Sequence, residues 1–269
     1  AGGTPTARAS AAATATAAAH VAGATKSGGN RPPVEWLRKG SIPTAAPIPT
    51  APPMRSSSDA SAKAKAEALG VPKAYGSYDA LLADPAIEVV HNATPNYLHY
   101  PVNAAAIAKG KHVISDKPLA MTAAEAKKLL DQATKAGIVH AVTFNYRGNP
   151  LVQQARHAIA RGDIGKPHFL VGHYLQDWLL KDTDYSWRLE PDKGGASSAL
   201  GDIGSHWCDL AQHISGLRIT EVLGDITTVI PKRKRPKGSR EAFAAAGANE
   251  SFDLVDIKVE DLASVDGVS

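Results

Sequence analysis

Cysteine is almost absent from this 269-residue chain. Cys208 stands alone, which excludes an intrachain disulfide framework and a multi-cysteine zinc site and fits a reducing, cytoplasmic compartment. Long apolar runs are missing too: none approaches the ~18 residues of a membrane-spanning helix, so no membrane partner is expected. Charge of one sign is also scarce. The formal net charge is +4 and the basic residues are scattered, apart from the run Lys232-Arg233-Lys234-Arg235. Lying among Pro231, Pro236 and Gly238, that run reads as a solvated loop. Nucleic-acid binding and nuclear localisation are weaker alternatives, and no nucleic-acid partner is expected. What remains is ordinary for a soluble globular enzyme, with 43% hydrophobic and 21% charged residues and length for one large or two medium domains.

Acidic residues are nearly missing from 1–57, where Glu35 is the only one. This stretch is rich in Ala, Thr, Ser, Gly and Pro and has no sustained helix or strand period. Without bulky apolar residues to offset chain entropy, disorder is its default. A transit segment shares the composition, and so does GC-rich DNA translated out of frame; these readings stay open. From Ser58 the rhythm changes. Helices are expected at Ser58–Leu69, Tyr78–Leu82, Tyr97–Lys109 and Thr122–Ala136, the last with Thr122 and Glu125 as a capping box. Strands are expected at the compact β-branched run Ile87–Val90, read as a buried strand, at His112–Ile114 and at Val139–Phe144. Strands alternating with helices of this length predict βαβ units on a parallel sheet, hence an α/β fold. Beyond Phe144 follow an expected helix Leu151–Arg161, strand His168–Tyr174, a long polar loop, helix Asp202–Ile214 and strand Glu221–Val229. The predicted division is 58–143 and 144–269.

Three stretches carry chemistry. Thr94-Pro95-Asn96-Tyr97-Leu98-His99 leaves a strand end and enters a helix, so Thr94 and Asn96 either cap that helix or bond a ligand. Asp116-Lys117-Pro118 leaves the next strand end, where active groups of parallel sheets gather; a plain surface lysine is the alternative. Asp202 and His206 stand four apart at a helix start, so the carboxylate could fix the imidazole tautomer for a general base. The alternative is Asp202 as N-cap with His206 partly buried. A metal ion is not expected, because Asp209 and His213 do not share that face closely.

Ala-Thr-Pro-Asn-x-x-His at 93–99, Asp-Lys-Pro at 116–118 and Asp-x-Gly-x-His at 202–206, in this order and spacing, resemble the Gfo/Idh/MocA oxidoreductases. Asn145-Tyr146-Arg147, Trp178-Leu179-Leu180, Ser186-Trp187-Arg188 and Gly194-Gly195 resemble its sugar-dehydrogenase members. The resemblance implies a Rossmann-like dinucleotide-binding domain followed by an α/β substrate domain, NAD or NADP as cofactor, and oxidation of a sugar or polyol hydroxyl. It implies that Thr94, Pro95, Asn96, His99, Asp116 and Lys117 face the cofactor, and that Lys117 also orients the hydroxyl. It further implies that His206 takes the proton with Asp202 in support, and that Asn145, Tyr146, Arg147, Trp187 and Arg188 lie near substrate. Family members often carry Glu where this chain has Asp116. A homodimer or homotetramer is expected where the full substrate domain is present. Two alternatives remain, an NAD-dependent glycosidase of the same fold and an inactive or regulatory fragment.

The family opens on a strand and a Gly-x-Gly-x-x-Gly turn. Nothing in 1–57 supplies it, since Gly28-Gly29-Asn30 lacks both strand and helix. Its large antiparallel sheet would also run on the order of a hundred residues past Ser269. The expectation is therefore a partial dinucleotide domain and a partial substrate domain.

Overall fold

The computed structural model describes residues 59–237 and 251–268; the readings for 1–57 lie outside them. The chain forms two units whose segments interleave in sequence. The first holds the described residues up to Thr94 with Pro101–Asp116 and Lys127–Gly148. The second holds Pro95–Tyr100, Lys117–Ala126 and the described residues from Asn149 onward.

Helices α1 (Asp59–Leu69) and α2 (Tyr78–Ala83) precede a parallel sheet of β1 (Val89–Asn92), β2 (His112–Asp116) and β3 (His140–Thr143), in that order. Val90 pairs with Val113, and Ile114 with Ala141. Parallel pairing needs crossovers, and α3 (His99–Ala108) and α4 (Ala123–Ala136) are the connecting helices. The core of the first unit draws Val90 and Val113 from the sheet, Val102, Ala106 and Ile107 from α3, and Leu129 and Ala133 from α4. The four-residue spacing of Val102 and Ala106, and of Leu129 and Ala133, is one helix face. This is the α/β alternation that the sequence pattern predicts.

Several boundaries move for identifiable reasons. β1 starts two residues after the β-branched run does, because the Ile87 amide closes a turn onto Asp84 O at 3.3 Å. The strand gains His91 and the buried Asn92 instead. The helix expected from Tyr97 opens as a tight turn at Asn96–Leu98, and Pro101, which lacks an amide donor, sits in the first turn of α3. At α4 the Glu125 amide donates to Thr122 Oγ1 at 3.2 Å, but Glu125 Oε2 is buried without a hydrogen-bond partner, so that oxygen does not return the capping bond.

The second unit contains α5 (Pro150–Arg161), capped by Asn149, α6 (Pro191–Gly194) and α7 (Ser205–Ser215). Two antiparallel ribbons follow: β4 (Glu221–Thr227) with β7 (Leu262–Val268), and β5 (Lys232–Pro236) with β6 (Phe252–Asp256). The expected strand at His168–Tyr174 is not one. It is paired to no other strand among the described residues, and Phe169 and Val171 stay exposed; strand propensity alone supplies no ladder partner.

The expected loop at Lys232–Arg235 is not a loop, although Lys232, Lys234 and Arg235 keep exposed side chains. It is strand β5, and each basic side chain meets an acid: Lys232 with Asp256, Arg233 with Asp261, Lys234 with Asp182 and Arg235 with Asp253. Arg233 is 0% exposed. Acidic neighbours distant in sequence turn a basic string into a neutralised strand.

Candidate active site

Lys117 follows the carboxyl end of β2, and its peptide bond to Pro118 is cis. The ammonium donates to the Asp202 carbonyl at 2.6 Å and to Asp202 Oδ1 at 2.5 Å. The other carboxylate oxygen, Oδ2, lies 3.3 Å from Arg188 Nε. One half-buried carboxylate thus joins two cations that stand 71 positions apart in sequence. Arg188 is in turn held by aromatic faces, 4.5 Å from the Trp187 ring centroid and 5.6 Å from that of Trp178. Such stacking fixes a guanidinium plane while leaving its edge for hydrogen bonds.

Asp202 does not serve as a helix N-cap. It lies inside a wide turn at Leu200–Gly204 that runs straight into α7, and its oxygens engage Lys117 and Arg188. Its influence on His206 is therefore that of a nearby charge, since both oxygens are committed to cations. His206, on the first turn of α7, is only 7% exposed. Burial is the largest cause, and the Lys117 cation the next, of an imidazole held down to about 4; Asp202 and Asp209 pull it the other way. Burial and a cation thus outweigh the two carboxylates, and the imidazole lies below the ordinary 6.5. The Tyr174 ring meets the imidazole edge-on at 6.1 Å between centroids.

The capping alternative for Thr94 and Asn96 does not hold. Thr94 Oγ1 donates to Asn92 Oδ1 at 2.7 Å, Asn96 Nδ2 donates to Gly194 O at 2.7 Å, and Pro95, at the cap position, makes no side-chain bond. His99 is buried with Nδ1 2.5 Å from the Pro118 carbonyl, which ties the 94–99 motif to the Lys117 motif. Asp116 accepts from Thr143 Oγ1 at 2.7 Å and stands 3.0 Å from His91 Nε2. Asn145, Tyr146 and Arg147 form a single turn after β3 in the first unit, where the Arg147 guanidinium lies 5.8 Å from the Phe144 ring centroid. Lys117, Trp187, Arg188, Asp202 and His206 belong to the second unit.

Three groups escaped sequence reasoning. A buried chain runs from Asn92 Nδ2 to Asn103 Oδ1 at 2.8 Å and from Asn103 Nδ2 to Ser115 Oγ at 2.9 Å, beneath the ends of β1 and β2. Arg233 donates to the carbonyls of Lys181 and Asp184. Glu260 reaches the turn before Asp202. A period-2 reading of 232–235 could have put Arg233 on one strand face; nothing local marks Glu260.

A nicotinamide dinucleotide is a partial fit to this chemistry. Asn96 and Lys117, both in the second unit, carry a carboxamide and an ammonium, groups of the kind that bond a nicotinamide's amide. No Gly-x-Gly-x-x-Gly turn occurs among the described residues, so the pyrophosphate has no counterpart there. Also among the described residues, no cluster of three or more His, Cys, Asp or Glu could hold a metal ion.

Residues 54–144 match a family described as an oxidoreductase family with an NAD-binding Rossmann fold, and 152–266 match the GFO/IDH/MocA C-terminal domain. Levoglucosan dehydrogenase of Pseudarthrobacter phenanthrenivorans is 36% identical over 76% of this chain and 53% of its own. An NADP-dependent D-xylose 1-dehydrogenase of Haloferax volcanii is 30% identical over 78% of this chain and 64% of its own. Among solved structures, a levoglucosan dehydrogenase in complex with NADH and levoglucosan superposes with a TM-score of 0.68 at 32% identity, covering 83% of this chain and 56% of that one. The chain spans about half the length of such relatives.

Proposed function

The chain belongs to the Gfo/Idh/MocA oxidoreductase family, and from that premise we propose that it serves oxidation of a hydroxyl on a neutral sugar or polyol, with NAD or NADP as acceptor. The observation that carries this reading is the joining of Lys117 and Arg188 through Asp202, one helical turn before a buried, neutral His206. Similarity to levoglucosan and xylose dehydrogenases supports the substrate class.

When bound, the nicotinamide supplies an acceptor for hydride. The protein's own residues handle the proton and the orientation. Lys117 places its ammonium on the substrate hydroxyl and stabilises developing negative charge on that oxygen, which makes the hydroxyl easier to deprotonate. His206, neutral well below pH 7, has a ring nitrogen able to take that proton. The Lys117 cation weakens the imidazole as a base but also acidifies the hydroxyl, so the two effects offset across the transfer. Asp202 holds the ammonium in place. Trp187 and Arg188 are proposed to contact the sugar, an aromatic face matching the C–H face of a ring and a guanidinium its hydroxyls.

The test is incubation of the 269-residue protein with millimolar NAD or NADP and a panel of neutral sugars and polyols. Free reduced cofactor forming in step with sugar oxidation is expected. Glycoside cleavage with no free reduced cofactor would point instead to a glycosidase that oxidises its substrate only transiently.

A further inference from the structure

Glu260 is buried at 3% exposure between β6 and β7, deeper than any other charged group among the described residues of the second unit except Arg233. Its Oε1 accepts three donors: Ser197 Oγ at 2.7 Å, the Ser198 amide at 2.9 Å and the Leu200 amide at 3.0 Å. Its main-chain carbonyl accepts the Ala199 amide at 3.2 Å. These are the amides that open the wide turn Leu200–Gly204; Ala199, at its cap position, makes no side-chain bond, and Ser197 Oγ holds the Gly201 amide. The first amides of a helical segment lack partners within it and carry partial positive charge. Here an acid 60 residues away in sequence supplies the cap.

The neighbouring residues extend the brace. Asp261 accepts the amides of Val229 at 2.6 Å and Ile230 at 2.9 Å, and takes Arg233 Nη2 at 3.3 Å. Arg233 in turn holds the carbonyls of Lys181 at 2.8 Å and Asp184 at 3.2 Å. Residues 260–261 therefore grip both sides of the ion-pair cluster: the turn that presents Asp202 and the loop that leads to Arg188.

We propose that Glu260 is a positioning residue for the Lys117–Asp202–Arg188 cluster, holding the Asp202 turn through Ser197, Ser198 and Leu200. It touches no reacting atom; it acts through the turn. Its catalytic meaning rests on the dehydrogenase reading above, but its geometry does not, so the test uses no substrate or cofactor.

The readout is the titration of His206 in the full chain, followed by imidazole NMR. Lys117, Asp202 and Asp209 are the charges that act on His206, and they move relative to it if the turn relaxes. Wild type should titrate near 4. Glu260→Ala should raise that midpoint by at least about one pH unit toward 6.5, as burial lessens and the Lys117 charge moves away. Glu260→Gln keeps a side-chain carbonyl acceptor and should stay near the wild-type value. Ser197→Ala removes one donor to Oε1, together with the Gly201 amide's bond to Ser197 Oγ, and should shift the midpoint in the same direction by less. Folding is checked by thermal melting. If Glu260→Ala does not fold, the Ser197→Ala result decides. An unchanged His206 midpoint in a folded Glu260→Ala, or in a folded Ser197→Ala when the alanine variant of Glu260 is lost, overturns the proposal.

Discussion

At the scale of single residues the unusual group is His206, because its proton affinity is set by competing neighbours. The unfolded chain takes up the imidazole proton near the ordinary 6.5, whereas the folded chain resists it down to about 4. Within that window the unfolded state binds more protons. Stability contributed here is present above 6.5 and is lost as pH falls toward 4, by at most ~3 kcal/mol. Urea unfolding at pH 7 and at about pH 4.5 should therefore show a smaller loss for His206→Asn than for wild type. Equal losses would mean that His206 is not held neutral. The same balance predicts that Lys117→Met raises the His206 midpoint, since the cation is removed, and that Asp202→Asn lowers it; NMR titration reads both. The acid limb of kcat/KM should lie below 6.5 for the same reason.

At the scale of elements, the second unit relies on buried charge. Arg233 sits wholly inside, on a strand whose other basic residues face partly exposed acids. Removing one partner of a buried pair leaves an uncompensated charge, so Arg233→Ala should cost ~3–5 kcal/mol in urea unfolding. Arg235→Ala, two residues along and half-exposed, should cost under ~1 kcal/mol. Equal small effects would show that Arg233 is not a structural clamp. Legibility also differs by element. The alternation of β1, β2 and β3 with α3 and α4 was readable, because apolar period and glycine stops act locally. So was the place of Lys117 at a strand end. The pairing of β5 with β6, and the absence of a ladder at 168–174, were not readable: strand pairing depends on partners distant in sequence. Asp202 was identified from its spacing to His206, on which it acts as a nearby charge. Its bonds to Lys117 and Arg188 close only in three dimensions.

At the scale of the whole molecule, the chain matches both domains of the family yet spans about half the length of its relatives. No helix among the described residues is long and apolar enough to cross a membrane. Nowhere in the sequence do two glycines stand two apart, so no Gly-x-Gly-x-x-Gly can cradle a pyrophosphate with its amides and helix dipole. Each charge-assisted hydrogen bond lost is worth ~1.5–3 kcal/mol, enough in sum to move affinity from micromolar to beyond millimolar. Calorimetric titration of this chain with NAD and NADP is therefore expected to show weak binding, and micromolar affinity would mean that residues 1–57 provide a phosphate cradle of another kind.

The central claim is that Lys117 and His206 carry out the proton side of hydroxyl oxidation, and turnover of their variants at millimolar cofactor tests it most directly. With the best neutral sugar of the panel, wild type should form reduced cofactor. Lys117→Ala should lower kcat/KM by at least ~100-fold, about 2.7 kcal/mol, and His206→Asn should abolish the acid limb along with most of the rate. A folded Lys117→Ala that turns over within a few-fold of wild type, or a wild type that oxidises none of these sugars, would contradict the account.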